Sequence, residues 1–336
     1  MKVTKINGFG SFGHYVDDVD FTNMSDEEVK AIHDLHLRGL VTVFRNVNLP
    51  IEMYRAWAER IGNIRYNGTT ILFKKYNVHS MLDLYKLYKR GKLDADDAYQ
   101  IETREHTIER TKTGDLYRIS AEQDEKGNYK GSFGVGDVGW HSNEGSIINF
   151  TPGACLFGVK EMRDSATGFA QTVDFYNSLP DSIRSEFDDM IVVYKFQPGA
   201  INKLELEDPK FQLRIKQNFC PVDGAEVPLV ITSPGGLKGL HYPKHNMWTI
   251  KGLTEAQSKD VFDLIDRSVL AKEMVFDHWY QQDNDLVLFD NAVTLHRRVG
   301  SRPGRLGYRL QYDYKFVENY CPYSQPEYRE RYFNAF

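Results

Sequence analysis

The sequence predicts a mainly β fold with flanking helices, arranged as a sandwich or open barrel rather than a doubly wound sheet. Two observations carry that expectation. From Gly139 onward the chain is a succession of short apolar runs divided by turn residues, among them GWHSNEGSI, ACLFGVKEM, FAQTVDF, IVVYKF, PLVITS and DLVLFDN. The last run, GRLGYRLQYDY, alternates strictly, as a strand does when its two faces meet different surroundings.

Taken in order, MSDEEVKAIHDLHLRGL opens with Ser25 and, three residues on, Glu28, a capping box ahead of apolar residues at helical spacing. LVTVF, after Gly39, reads as a buried strand. Pro50 suits the first turn of a helix, IEMYRAWAERIG, that ends at Gly62 with Met53, Trp57 and Ile61 on one face. Residues 66–134 mix an amphipathic stretch, MLDLYKLYKRGKL, with turn-rich segments such as EQDEKGNYKG; a segment this long and irregular reads as a lid or binding loop, or as a solvated insertion. PDSIRSEFDDM reads as a helix, and PLVITS and GGLKGLHYP as a hairpin about Pro234, Gly235 and Gly236. Thr254 with Gln257 opens a second boxed helix.

The 336 residues are 41% hydrophobic and 13% aromatic, the make-up of a globular protein with abundant Tyr and Phe. A net charge of -5 gives no general reason to bind nucleic acid or an anionic membrane. The start, MKVTKINGFGSFGHYV, reads as lacking a signal peptide, and no apolar stretch is long enough to span a bilayer. Cys155, Cys220 and Cys321 are odd in number and widely spaced, which fits a reducing cytoplasm better than a disulfide framework or a CxxC metal site. There is no internal repeat, P-loop, GxSxG or HExxH. The partner expected is a small molecule, and a homo-oligomer is compatible with the sequence.

Alternation in the last run puts Arg305, Gly307, Arg309 and Gln311 on one face and Leu306, Tyr308, Leu310 and Tyr312 on the other. Two guanidinium groups with a glycine between them form a carboxylate clamp, or else a solvated surface face. His296 follows an apolar strand, where a hydrogen-bonded structural histidine is the commoner case. His141 lies in a Gly-flanked segment with Asn143 and Glu144 just after it. Two histidines and one carboxylate are the set that leaves iron(II) three open positions.

These segments together resemble the taurine dioxygenase/TfdA-like family of iron(II)- and 2-oxoglutarate-dependent oxygenases. GLVTVFRNVNLPIEMYRAWAERIG is similar to the family's N-terminal strand and helix, and WHSNEGSI to its Trp-His-x-Asp/Glu segment. ACLFGVKEMRDSATGFAQT is similar to the stretch leading to the 2-oxoglutarate threonine, GLKGLHYPKHNMWTIKGLTEAQSKDVFDLI to the segment before the last core strands, and DLVLFDNAVTLHRR to the strand that ends in the distal histidine. The resemblance implies one domain over 1–336 with a double-stranded β-helix (jelly-roll, cupin-like) core and a lid at about 66–134. It implies iron(II) held by His141, Glu144 and His296, with Asn143 as the alternative to Glu144. Strict His-x-Asp/Glu spacing selects Asn143, a neutral amide; one inserted residue selects Glu144, which carries the charge a metal favours. It further implies 2-oxoglutarate on Arg305 and Thr172, O2 as co-reactant, and substrate near Arg309. The implied activity is hydroxylation of an unactivated C–H bond in a small polar metabolite such as an amino acid. A zinc-dependent hydrolase and a catalytically inert jelly-roll binding module are the competing readings.

Overall fold

The computed structural model describes residues 1–65, 70–78, 81–105, 107–145, 147–194, 225–244 and 247–335. Cys220 and the end of IVVYKF lie outside them.

The chain begins with strands β1 (Lys2–Lys5) and β2 (His14–Asp17), then helix α1 (Asp26–Gly39). Ser25 and Glu28 form the capping box at its start, each satisfying a backbone N–H that the first helical turn leaves without a partner. Strand β3 (Val41–Phe44) is buried throughout, and α2 (Ile51–Ile61) runs to Gly62 before β4 (Gly62–Arg65). On α2 the buried face is Tyr54, Trp57, Ala58 and Ile61, while Met53 is exposed.

The stretch expected to be irregular instead folds into α3 (Thr70–Tyr76), α4 (Met81–Lys89) and α5 (Ala95–Glu105), followed by the hairpin β5 (Ile108–Thr111) and β6 (Gly114–Ser120). Leu72, Leu84 and Ile101, one from each helix, form a small core of their own. The spacing of apolar residues in MLDLYKLYK supplied that face, and only packing against two further short helices makes it buried.

Next come β7 (Val138–His141), β8 (Gly153–Lys160) and β9 (Ala166–Gln171). FAQTVDF divides, its second half forming α6 (Val173–Ser178) rather than continuing the strand. Helix α7 (Asp181–Asp189) and strands β10 (Ile191–Tyr194), β11 (Ala225–Pro228), β12 (Val230–Thr232), β13 (Lys238–Leu240) and β14 (Met247–Ile250) follow, with β12 and β13 forming the expected hairpin. Helix α8 (Glu255–Val269) carries the Thr254/Gln257 box. Strands β15 (Val275–Trp279), β16 (Asp285–Asp290), β17 (Thr294–Val299) and β18 (Leu306–Tyr314) precede a C-terminal helix α9 (Pro326–Asn334).

Among the described residues, β1-β2-β3-β16-β8-β18-β6-β5 form one large sheet, with β4 also on β18, and β15-β9-β17-β7 form a smaller one. They meet face to face, Phe169 of β9 against Phe289 of β16 with ring centroids 5.4 Å apart. The other face of the large sheet is covered by α1 and α2: Leu306, Tyr308, Leu310, Tyr312 and Tyr314 of β18 share a core with Ile32, Tyr54 and Trp57. The even-numbered face of β18 is thus committed to that core, and the odd-numbered face turns toward the smaller sheet. A mouth between the sheets is where a jelly roll of this kind holds ligands.

Candidate functional site

The two histidines meet because of strand register. In the small sheet His296 of β17 is the direct cross-strand partner of His141 at the end of β7. Their ring centroids are 4.1 Å apart. His141 Nδ1 is 2.8 Å from the carbonyl oxygen of Gly139, a contact that makes Nδ1 the protonated nitrogen and leaves the lone pair on Nε2. His296 is buried against Phe289, with no hydrogen-bond partner for its Nδ1 among the described residues. Burial first, then His141 and Arg309 nearby, hold its pKa well below the ordinary value, so the ring is neutral.

The loop after His141 is held from the β16–β17 turn. Asp290 Oδ1 accepts from the backbone N–H groups of Ala292 and Val293, closing that turn. Asn291, next to it, accepts from the N–H of Asn143 at 2.8 Å and donates to the carbonyl oxygens of Asn143 and Thr151, both at 2.9 Å. Ser142 adds a hydroxyl bond to the carbonyl of Thr294. The backbone of residues 142–143 is therefore tied to the strand that carries His296.

From this mount the Asn143 side chain accepts a hydrogen bond from Arg309 Nη1 at 2.9 Å. Glu144 sits in left-handed backbone conformation, φ 59°, and its carboxylate accepts from the Thr151 hydroxyl at 3.4 Å. Among the described residues no group of three His, Cys, Asp or Glu side chains is arranged to hold a metal. Glu144, the carboxylate favoured from sequence, is thus not brought to the two histidines in such a group; its neighbour Asn143 is brought to Arg309.

Both arginines of the alternating strand face one cavity, which His141 and His296 also line. The solvated-face alternative does not hold, since Arg305 is only 2% exposed. Its guanidinium donates to the carbonyl oxygens of Phe133 at 2.9 Å and Gly134 at 3.4 Å and to the Ser301 hydroxyl at 3.3 Å. Burial, then the nearby Arg298, pushes its pKa down to about 10. The glycine between the arginines serves the strand rather than a ligand: a Cβ at Gly307 would stand 3.1 Å from the carbonyl oxygen of Phe157.

Thr172 is not at this cavity. Its hydroxyl accepts from Leu240 N at 2.8 Å and points at the carbonyl oxygens of Val293 and Leu240, tying α6 to the β12–β13 hairpin and the β16–β17 turn. Thr167, five residues earlier on β9, lines the cavity instead, its hydroxyl 2.9 Å from that of Tyr280. Sequence reasoning missed Thr167, Tyr280 and Arg298. A usable signal was present for Thr167, which lies on the same strand face as Phe169, two residues away. Arg298 also lines the cavity and donates to the carbonyls of Phe133 and Gly136. Arg297 is taken up by Asp277, Nη2 to Oδ2 at 2.7 Å. No acidic side chain lines this cavity among the described residues, so its net field is positive.

The family model "Taurine catabolism dioxygenase TauD, TfdA family" matches residues 3–311. Among solved structures, that of AAD-2 in complex with Mn(II) and N-oxalylglycine superposes with a TM-score of 0.63 at 16% identity, covering 94% of this chain and 99% of that one. A taurine dioxygenase from Burkholderia xenovorans gives 0.60 at 18% identity, with 98% of each chain covered. A putative alpha-ketoglutarate-dependent taurine dioxygenase from the same organism gives 0.60 at 17%, covering 93% and 92%. At these identities the likeness shows the shared fold. No curated protein sequence matches the chain. Two imidazoles on adjacent strands, one with a buried ring nitrogen that no described residue satisfies, fit a divalent metal, and a desolvated guanidinium fits a carboxylate.

Proposed function

The chain belongs to the TauD/TfdA family and is a non-haem iron(II)- and 2-oxoglutarate-dependent dioxygenase, and from that premise we propose that it hydroxylates an unactivated C–H bond of a small polar or anionic metabolite, such as an amino acid. The observation that carries this reading is the buried Arg305 guanidinium in the same cavity as the paired His141 and His296 rings. With iron(II), 2-oxoglutarate and O2, the centre supplies an oxidant at the cost of decarboxylating the cosubstrate to succinate and CO2.

The chain's own residues would divide the remaining work. Arg305 receives the far carboxylate of 2-oxoglutarate, exchanging its backbone carbonyl contacts for a bidentate fork with a charged partner. The paired Thr167 and Tyr280 hydroxyls, in the same cavity, donate to that carboxylate or its neighbour oxygen. His141 would offer its Nε2, the Nδ1–H being held by the Gly139 carbonyl, and His296 a ring that burial keeps neutral. Arg309 and the surrounding positive field favour a substrate carrying an anionic group. We place the protein in the cytoplasm, a reading supported by the free thiols Cys155 and Cys321; no helix among the described residues is long and apolar enough to cross a membrane.

The test is a panel of amino acids and small carboxylates incubated with protein, iron(II), ascorbate and 2-oxoglutarate. Succinate should appear together with a product one oxygen heavier than its substrate. Absence of succinate with every candidate, together with no visible charge-transfer band on anaerobic addition of iron(II) and 2-oxoglutarate, would remove the reading.

A further inference from the structure

Position 143 departs from the carboxylate that the Trp-His-x-Asp/Glu pattern carries there, and the geometry around it is built rather than incidental. The backbone N–H and C=O of Asn143 are both bonded to Asn291, and the side chain is 7% exposed. Its Oδ1 meets Arg309, a cavity-lining cation. Its Nδ2 is buried with no acceptor among the described residues. Glu144, the only adjacent carboxylate, is bonded to Thr151.

We propose that Asn143, not Glu144, is the third protein group at the metal, so that the protein supplies no negative charge to the centre and captures the metal together with its anionic cosubstrate. This rests on the oxygenase reading above. A carboxamide oxygen has two lone pairs, so Oδ1 can keep its bond to Arg309 and still offer one pair to a metal. That oxygen is a poor donor twice over: it carries no formal charge, and the guanidinium draws its electron density away. Two imidazoles and such an amide would hold a divalent ion weakly beside the positive charge of Arg309. A chelating dicarboxylate brings the missing negative charge. It also gives the buried Nδ2–H an acceptor, which a buried donor requires. Metal and cosubstrate therefore tighten each other, and by linkage the factor is the same in both directions.

The experiment titrates Mn(II), which is stable in air, into the full-length protein, following free metal by electron paramagnetic resonance, with and without 2-oxoglutarate. Wild type, Asn143→Asp and Glu144→Gln are compared; both substitutions are isosteric, and thermal melts confirm that each variant folds. Wild type should bind Mn(II) about 10-fold or more tightly with 2-oxoglutarate present than without it. Asn143→Asp should bind Mn(II) more tightly than wild type in the absence of 2-oxoglutarate and show a smaller coupling factor. Glu144→Gln should match wild type. If Glu144→Gln loses Mn(II) affinity, or Asn143→Asp gains none, or wild type shows no coupling, the inference is overturned while the oxygenase reading stands. If neither wild type nor Asn143→Asp binds Mn(II) even with 2-oxoglutarate, both fail.

Discussion

Replacing Arg305 with methionine tests whether the site is built to receive a carboxylate. In the unliganded protein the guanidinium is held charged at a cost. Its folded pKa of about 10, against an ordinary 12.5, is a shift of about 2.5 units, or about 3 kcal/mol at the usual conversion. The sign follows from the direction. A base with a depressed folded pKa carries its full penalty below about pH 10, and the penalty is relieved as pH rises from there toward 12.5. Against this stand one good charge-assisted bond to Phe133 and two long contacts, to Ser301 and Gly134. The good bond is worth about 1.5–3 kcal/mol and the long ones less. Methionine, of similar length and without charge, removes cost and gain together, so the unliganded variant should lie within about 1–2 kcal/mol of wild type.

The liganded proteins should differ sharply. At 2-oxoglutarate about 100 times its dissociation constant, with metal present, wild type gains about 2.7 kcal/mol, which for 336 residues is about 4 °C in melting temperature. Arg305→Met should show almost none of that shift. Differential scanning fluorimetry at neutral pH, with and without 2-oxoglutarate, reads both quantities. An undiminished shift in the variant would refute the role of Arg305, and a loss above about 5 kcal/mol without ligand would show that the Arg305 contacts outweigh its desolvation.

Asp290→Asn should flatten the pH dependence of stability. Burial raises the Asp290 carboxyl to about pKa 7, so folding disfavours its charge. The stability it allows below pH 4 is lost as pH rises toward 7, by up to about 4 kcal/mol, while Asn keeps the one oxygen that accepts both backbone N–H groups; urea melts across that range decide it. Thr167→Val should raise the KM for 2-oxoglutarate with little loss of stability. Thr172→Val should cost about 1–3 kcal/mol by stranding the Leu240 N–H, and leave that KM near wild type; the reverse pattern would return the cosubstrate to Thr172. Asn291→Ala removes three buried bonds to the 143 and 151 backbone, and should destabilise by about 2–4 kcal/mol and weaken Mn(II) binding with 2-oxoglutarate; unchanged metal affinity would mean that the Asn143 mount is not part of the site.

Several elements were legible because their causes are local. The boxes at Ser25 and Thr254 mark helix starts through bonds that close within three residues. The alternation of β18 separates a Leu/Tyr face from an Arg face, and both faces are found as read. Failures occur where the cause is remote. The segment over 66–134 looks irregular because the apolar residues of its three helices, Leu72, Leu84 and Ile101 among them, find their core only in one another. FAQTVDF is apolar in both halves, and the threonine that precedes its helical second half is bonded to Leu240 and Val293, 68 and 121 residues away.

The sequence by itself determined the chemical alphabet of the site: two histidines, an amide and a carboxylate side by side after the first of them, and two arginines on one strand face. Composition and pattern can supply that much because each item is a residue type at a short spacing. Which of these groups meet was left to tertiary structure. Pairing of β7 with β17 brings His141 to His296 across 155 positions. Asn291, from a third segment, fixes the loop so that Asn143 turns to Arg309 while Glu144, one residue on in a left-handed turn, goes to Thr151. Neighbours in sequence go to different partners there because of contacts from segments far along the chain, which local spacing does not encode.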